Sequence, residues 1–259
     1  MLRIQFTKYQ GTGNDFIMID NRKKVVDHND LNLIKRLCDR KFGIGSDGLI
    51  LIEDNREYDF EMVYFNPDGT QSLCGNGSRC AVRFANSLGI IKNSTNFLTI
   101  EGPLDAQING INIRLKMPDV NGVSTTKNQD LFINTGSPHY IRFVEDVKAI
   151  DVYHAGREIR NSPEFMPGGT NVNFIQLKKP DHISVRTYER GVENETLSCG
   201  TGVTASALAV GLKMKNGEIH IKTPGGDLSV QFEQVEKGIF RNIFLIGPAE
   251  KVFEGTIDK

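Results

Sequence analysis

Two stretches organise this sequence: SLCGNGSRCAVRFA at Ser72–Ala85 and LSCGTGVTASALAV at Leu197–Val210. Each contains the motif Cys-Gly-x-Gly followed by a run of alanine and other apolar residues. Such a run favours a buried helix, and the glycines favour close backbone approach at its start. The motif cysteines, Cys74 and Cys199, lie 125 positions apart (199 minus 74), so the pattern indicates a duplicated unit.

The sequence around each motif repeats in the same order. GTGNDFIMI at residues 11–19 has its counterpart in TGSPHYIRF at residues 135–143. Predicted strands at Glu61–Phe65 and Ile183–Tyr188 lead into the two motifs. We therefore predict an α/β (α+β) fold of two pseudo-symmetric domains, in which each thiol lies at a strand–loop–helix junction.

The domain boundaries are predicted from this repetition, because no linker-like tract interrupts the chain. The N-terminal half is residues 1–119 and carries Cys74, and the C-terminal half is residues 120–247 and carries Cys199. On the residues alone, the tail at 248–259 could belong to either half. Two equivalent junctions are expected to meet at the interdomain cleft, which is where we predict the active site.

Bulk composition favours a small-molecule substrate. The 31 Lys and Arg nearly balance the 32 Asp and Glu, so no basic field is available for nucleic acid or an anionic membrane. The first residues lack the apolar core of a secretory signal, and no apolar run reaches the length of a bilayer span. We therefore expect a cytoplasmic protein with neither nucleic-acid nor membrane partners.

The four cysteines are too few and too unevenly spaced for a disulfide framework. No Cys-x-x-Cys pair suggests zinc or a thiol–disulfide redox protein, so no metal site is predicted. Cys38 lies in an amphipathic stretch and Cys80 has only alanine at the repeated position, so both are predicted to pack in the core. Cys74 and Cys199 differ because they are the shared element of the duplicated motif.

A cysteine at a helix start occupies a chemically active position. The unsatisfied N–H groups and the helix dipole favour its thiolate, and the same N–H groups can bind a carboxylate. Two such sites suit proton transfer at the carbon α to a carboxylate. One thiolate removes a proton from one face, and the opposed thiol delivers a proton to the other. The helix ends stabilise the developing charge, so the reaction needs no cofactor.

Five motifs, in order along the whole chain, resemble the diaminopimelate epimerase family. They are Gly11–Phe16 (GTGNDF), Phe65–Gly69 (FNPDG), Cys74–Cys80 (CGNGSRC), Asn171–Phe174 (NVNF) and Glu189–Gly202 (ERGVENETLSCGTG). The resemblance implies cofactor-independent conversion of LL-2,6-diaminopimelate to the meso isomer, in lysine and peptidoglycan precursor biosynthesis. It also implies that each domain is a strand-rich sheet wrapped around a central helix, that the tail returns to the first domain, and that the protein is a homodimer, with Phe253 as a candidate interface residue.

By motif position, the resemblance assigns Cys74 and Cys199 as the two acid/base residues. The implied substrate-binding residues are Asn14, Asn66, Gly75, Asn76, Asn173, Glu189, Arg190, Gly200 and Thr201. Arg190 suits the distal carboxylate, which a guanidinium can bind bidentately. Asn66 and Asn173 are also flanked by turn-forming residues, so a structural turn is an alternative interpretation of both. His139 and Glu189 are expected to support catalysis.

Three departures from the family pattern bear on substrate choice. Ser137 stands where the pattern has the Asn of Asn-Pro-His, Gly48 stands where some members have Gln, and the loop Val192–Glu195 is one residue longer. A proline racemase-like enzyme is the nearest alternative. Proteins of that type resemble Cys-Gly-His at the first motif, whereas this chain has Cys74-Gly75-Asn76. A non-catalytic carboxylate-binding protein, or an isomerase of the phenazine-synthesis type, is disfavoured because this chain retains both motif cysteines.

Overall fold

Each cysteine motif begins a helix in the computed structural model of the chain, which describes residues 3–258. The chain divides into two compact units. The first extends to Leu115 and resumes at Gly247, and the second runs from Lys116 to Ile246. The sequence-based boundaries lie nearby, at 119/120 and 247/248.

The first unit contains seven consecutive strands and two helices. The strands are β1 (Arg3–Gly11), β2 (Asn14–Asp20), β3 (Gly48–Glu53), β4 (Glu61–Phe65), β5 (Ser94–Thr99), β6 (Gly102–Asn109) and β7 (Asn112–Lys116). The helices are α1 (Leu31–Cys38) and α2 (Gly75–Ser87). The predicted strand that leads into the first motif and the predicted helix that follows it are both confirmed.

The second unit contains nine strands, two helices and a 3₁₀ turn at Val147–Ala149. The strands are β8 (Val123–Thr125), β9 (Leu131–Asn134), β10 (Pro138–Phe143), β11 (Asn171–Lys179), β12 (His182–Glu189), β13 (Asn194–Thr196), β14 (Asn216–Thr223), β15 (Gly226–Glu236) and β16 (Ile239–Pro248). The helices are α3 (Val152–Arg160) and α4 (Gly200–Gly211). The short strand β13 lies between β12 and the second motif, so the predicted direct connection is interrupted.

The final strand, β17 (Glu250–Asp258), returns to the first unit and pairs antiparallel with β1. The tail is thereby assigned to the first unit, an assignment that the residues alone left open. Within residues 3–258, the helices are all too short or too polar to cross a bilayer.

Both units repeat one order of strand pairing. In the first it is β17-β1-β2-β3-β4-β5-β6-β7. In the second it is β8-β9-β10-β11-β12-β14-β15-β16. In each series the third and fifth strand pairings are parallel and the other pairings are antiparallel. The predicted duplication is therefore confirmed.

Helices follow from this pattern, because two parallel strands require a crossover connection. Helix α1 connects β2 to β3, α2 connects β4 to β5, α3 connects β10 to β11, and α4 lies between β12 and β14. Helix α4 packs against six strands of its unit, and ten of its twelve residues are buried. A helix that is apolar on all sides requires such enclosure. The predicted strand-rich sheet around a central helix is therefore confirmed.

Candidate active site

The first motif cysteine is the N-cap residue of α2. Cys74 has extended backbone angles, and its Sγ accepts a hydrogen bond from the Gly77 N–H at 3.4 Å. An N-cap side chain normally uses oxygen for this purpose, as Ser, Thr, Asp or Asn. Here a sulfur occupies the positive end of the helix, beside the first N–H groups of Gly75 and Asn76. The predicted strand–loop–helix junction is therefore present at this thiol.

Asn14, at the start of β2, brings an amide to the same thiol. Its Oδ1 lies 3.6 Å from Cys74 Sγ and 3.4 Å from Asn76 Nδ2. Its Nδ2 donates to Asp47 at 2.7 Å. A carboxylate accepts hydrogen bonds, so Asp47 requires the amide nitrogen of Asn14 on its side. The amide oxygen is consequently directed at the thiol and at Asn76.

A network of charged residues supports this amide. Arg40 donates to Asp47 at 2.7 Å and to Asp15 at 2.6 Å, and buried Lys8 lies 2.7 Å from Asp15. Partial burial acts to raise the pKa of Asp15, but the hydrogen bonds from Arg40 and Lys8 outweigh it and hold that pKa at about 2. Asp15 is thus ionised at neutral pH, and the network fixes Arg40 beside Asp47.

Asn66 lies in a turn, as the alternative interpretation held. Its backbone N–H donates to Thr70 O at 2.8 Å, and the Gly69 N–H donates to Asn66 O at 2.9 Å. Its side-chain nitrogen contacts the hydroxyls of Thr70 and Ser72. The amide is only partly buried, so the turn leaves it accessible to a ligand.

Two other residues of α2 lie in the core. Cys80 is fully buried, and burial raises the pKa of its thiol to about 12. Cys38 is also buried, so both predicted core cysteines are confirmed. Arg79 is fully buried, and it has no acidic partner in the described part of the chain. Its Nη2 donates to Thr12 Oγ1 at 3.1 Å, and within residues 3–258 its Nη1 has no hydrogen-bond partner.

The second motif cysteine is the N-cap residue of α4. Cys199 is almost fully buried, and its Sγ lies 3.6 Å from the hydroxyl of Thr201. The Thr201 carbonyl accepts from Thr135 Oγ1 at 3.0 Å, which ties the start of α4 to the segment before β10. Both motif thiols therefore occupy the same position in their units, at the start of the central helix.

Asn173 differs from both interpretations made of it. It lies inside strand β11 rather than in a turn, and it is fully buried. Its Nδ2 lies 3.1 Å from both His139 Nδ1 and Tyr140 O, and its Oδ1 accepts from Thr187 Oγ1 at 2.9 Å. Both ends of the amide are thus occupied by protein groups. We therefore no longer place Asn173 among the residues that contact substrate.

Asn171 lies two residues before Asn173, on the same face of β11. It, and not Asn173, connects β11 to the Arg190 backbone and to the start of β10. Its Oδ1 accepts from the Arg190 backbone N–H at 2.9 Å, and its Nδ2 donates to Ser137 Oγ and Pro138 O, both at 2.9 Å. Asn171 lies in the NVNF motif but was not among the predicted site residues. Two asparagines at alternate positions of one strand face the same way, so pattern alone does not distinguish them.

The predicted residues Arg190 and Glu189 follow at the end of β12. Arg190 Nη1 donates to Gly168 O at 3.1 Å, and Glu189 Oε2 accepts from Thr196 Oγ1 at 2.8 Å. Both side chains are only partly buried, so they remain accessible to a ligand. His139 is fully buried, and burial, with the charge of Arg190 as a smaller cause, lowers its pKa to about 3.

Gly48 is explained by its neighbour. A Cβ added there would lie 2.3 Å from Tyr64 Cε2 and 2.9 Å from Phe65 O. The Tyr64 ring therefore fills the space that a larger residue at position 48 would need.

Solved structures with the same fold have other activities. A phenazine biosynthesis protein of the PhzF family from Bacillus anthracis aligns over 100% of both chains, with a TM-score of 0.78 and 15% identity. A hydroxyproline epimerase from Agrobacterium vitis, solved with bound trans-4-hydroxy-L-proline, aligns over 98% of this chain and 91% of its own, with a TM-score of 0.71 and 14% identity. At such identities the likeness shows the fold alone.

Sequence comparison is more specific. The sequence profile of diaminopimelate epimerase matches residues 6–121 and 131–252. A diaminopimelate epimerase from Flavobacterium psychrophilum is 52% identical over 96% of this chain and 98% of its own length. One from Aquifex aeolicus is 42% identical over 99% of this chain and 98% of its own. The match spans both repeated units and both cysteine motifs, and the chain belongs to the diaminopimelate epimerase family.

Proposed function

We propose that this chain interconverts LL- and meso-2,6-diaminopimelate without a cofactor, using Cys74 and Cys199 as its two acid/base groups. The observation that carries the proposal is that a chain of this family has a thiol at the N-cap of both central helices. The product would supply lysine and peptidoglycan precursor synthesis. The 52% identity to a diaminopimelate epimerase favours this substrate over proline or hydroxyproline, because solved enzymes for those compounds share only 14–15%.

In the proposed reaction the thiols exchange roles. One cysteine, as thiolate, removes the α-proton from one face of the substrate, and the other, as thiol, protonates the opposite face. The first leaves the cycle protonated and the second ionised, so the reverse reaction starts from the product state. The duplicated site suits this symmetry, because each direction requires one base and one acid of the same kind.

The two helix starts would bind the carboxylate at the reacting end. The backbone N–H groups of Gly75, Asn76, Gly200 and Thr201 are the proposed donors, and they stabilise the charge that develops as the carbanion forms. Asn14 is the proposed side-chain contact here, because Asp47 holds its amide toward Cys74 and Asn76.

Recognition of the distal end is assigned to partly buried side chains. Arg190 is proposed to bind the distal carboxylate, with Asn66 as a further contact and Glu189 near the amino groups. Asn171 holds the Arg190 backbone, and Gly168 O accepts from only one of the guanidinium nitrogens, so further N–H groups are available to bind a carboxylate. His139 and Glu189 are proposed to support the two thiols rather than to transfer the substrate proton themselves.

We also propose a homodimer, with Phe253 on β17 at its interface. Val252 and Phe253 are large apolar residues that remain about half exposed, and the Phe253 ring packs edge-on against Phe6. Light scattering of Phe253→Glu is expected to report a smaller mass than wild type. An unchanged mass would remove this residue from the interface.

The substrate is tested by exchange in D2O without added pyridoxal phosphate. Loss of the α-proton NMR signal is expected with diaminopimelate and not with proline, hydroxyproline or lysine. The reference sample is the Cys74→Ser, Cys199→Ser double variant, which lacks both proposed bases. Exchange with proline alone would overturn the substrate assignment.

The two-thiol mechanism is tested with the single variants. Cys74→Ser and Cys199→Ser should each nearly abolish epimerisation, since a serine hydroxyl is far too weak an acid to serve as the base. Each should still abstract the α-proton of one isomer of a β-halogenated analogue and release halide, and the two variants should prefer opposite configurations. If one variant lost all abstraction while the other acted on both isomers, a single-base enzyme would be indicated.

A further inference from the structure

One histidine is buried beside the helix that carries the second thiol. His139 is fully buried on β10, whereas His28, His154, His182 and His220 are all partly or largely exposed. Strand β10 packs against α4, so this imidazole belongs to the surroundings of the central helix. Its Nδ1 lies 3.1 Å from Asn173 Nδ2.

The orientation of the Asn173 amide follows from its other neighbours. The Tyr140 carbonyl, 3.1 Å from Nδ2, can only accept a hydrogen bond. The Thr187 hydroxyl donates to Oδ1 at 2.9 Å. Rotating the amide by half a turn would place its oxygen against the Tyr140 carbonyl oxygen, so that two acceptors would face each other. The nitrogen of the amide must therefore face the imidazole.

This orientation decides which imidazole nitrogen carries the proton. An amide nitrogen can only donate, so His139 Nδ1 must be the acceptor, and the ring proton lies on Nε2. A charged ring would place an N–H at Nδ1 directly against the amide N–H. Burial and the nearby positive charge of Arg190 act in the same direction, and the pKa of His139 is lowered to about 3.

We propose that Asn173 is a positioning residue that holds His139 as the neutral Nε2–H tautomer, so that Nε2 offers a hydrogen bond to an anionic atom in the loaded site. Within residues 3–258, His139 Nε2 is buried without a hydrogen-bond partner. A buried N–H without an acceptor is costly, and a thiolate or a substrate carboxylate would supply that acceptor. The identity of this acceptor rests on the proposed function, whereas the tautomer does not.

The tautomer is tested directly by two-bond ¹H–¹⁵N correlation spectra of protein labelled with [¹⁵N]histidine. Wild type should show one histidine with an unprotonated Nδ1 and a protonated Nε2 that does not titrate between pH 5 and 8, and this signal should be missing from His139→Gln. A titrating His139, or one protonated at Nδ1, would overturn the proposal, and the His139→Gln protein is needed only to assign the signal.

Asn173→Asp provides the sharper comparison. A carboxylate accepts where the amide donated, so Nδ1 should become protonated and kcat/KM should fall by at least about 10-fold, mainly through kcat. The matched control is Thr187→Val, which removes the hydroxyl at Oδ1 but leaves the amide donor facing Nδ1, and it should keep the Nε2–H form.

An Nδ1 that stays unprotonated in Asn173→Asp would contradict the positioning role. The tautomer of His139 is measured independently of the proposed epimerase activity. If wild type failed to exchange the α-proton of diaminopimelate but His139 still showed the neutral Nε2–H form, the proposed function would fail while the role of Asn173 stood.

Discussion

Replacing Gly202 by alanine tests how tightly the second thiol is surrounded. Gly202 is the third residue of α4, and an added Cβ would lie 2.5 Å from Asn173 Oδ1 and 3.3 Å from both Cβ and Sγ of Cys199. Asn173 Oδ1 cannot retreat freely, because the Thr187 hydroxyl and the two acceptors of Nδ2 hold the amide in place. The strain must therefore displace either this amide or the thiol.

The cost follows from three contributions. Overpacking of a well-packed core costs about 1–3 kcal/mol. Loss of the Thr187–Asn173 hydrogen bond adds about 1 kcal/mol. Alanine gains about 1 kcal/mol over glycine in a helix, which offsets the hydrogen bond. We therefore expect Gly202→Ala to lower the free energy of unfolding by about 1–3 kcal/mol. We also expect a lower kcat, because Cys199 is one of the two proposed acid/base groups and Asn173 is the proposed positioning residue of His139.

Gly77→Ala is the matched control, since Gly77 is the third residue of α2. Its added Cβ would lie 3.0 Å from Ile50 Cδ1 and 3.4 Å from Cys74 Cβ. A methyl group at the end of a flexible side chain can move, so the helix gain should cancel most of the strain, leaving a change within about 1 kcal/mol. Urea titration of both variants measures the difference. Equal losses, or a loss below about 0.5 kcal/mol in Gly202→Ala, would refute the reasoning.

Two further predictions concern buried charge and proton binding. In a Cys199→Ser background, Arg79→Met should move the pH midpoint for alkylation of Cys74 by iodoacetamide upward, because it removes a buried positive charge that interacts with this thiol. An unchanged midpoint would assign Arg79 to packing alone. Because the folded pKa of His139, about 3, is below the unfolded value of about 6.5, the unfolded state binds more protons between these values. Wild-type stability should therefore fall relative to His139→Gln as pH decreases from 6.5 to 4, by up to about 1.4 kcal/mol per pH unit, and parallel urea-unfolding profiles would contradict the buried, neutral state.

The elements that could be predicted from sequence are those with a local signal. The helices after Cys74 and Cys199 are marked by a glycine-rich start and an apolar run, and both form. Helix α3 at Val152–Arg160 was not predicted, although Val152, Ala155 and Ile159 follow helical spacing and pack on one core cluster. The segment has only nine residues, and the glycine at its centre weakens the helical signal. The interior strand position of Asn173 escaped because asparagine locally favours turns, and only tertiary partners satisfy its amide inside a sheet.

What the sequence by itself determined is the duplicated architecture, the family, and the thiol at the start of each central helix. These follow from periodicity, repetition and helix-start chemistry, which act over a few neighbouring residues. Only the tertiary structure decided how the polar groups face one another. Asp47 orients the amide of Asn14 toward Cys74, although the two residues are 33 positions apart in sequence. Asn173 contacts His139, which is 34 positions away. These contacts form because β2 pairs in parallel with β3, and β10 with β11, which brings together segments that a crossover helix separates in sequence.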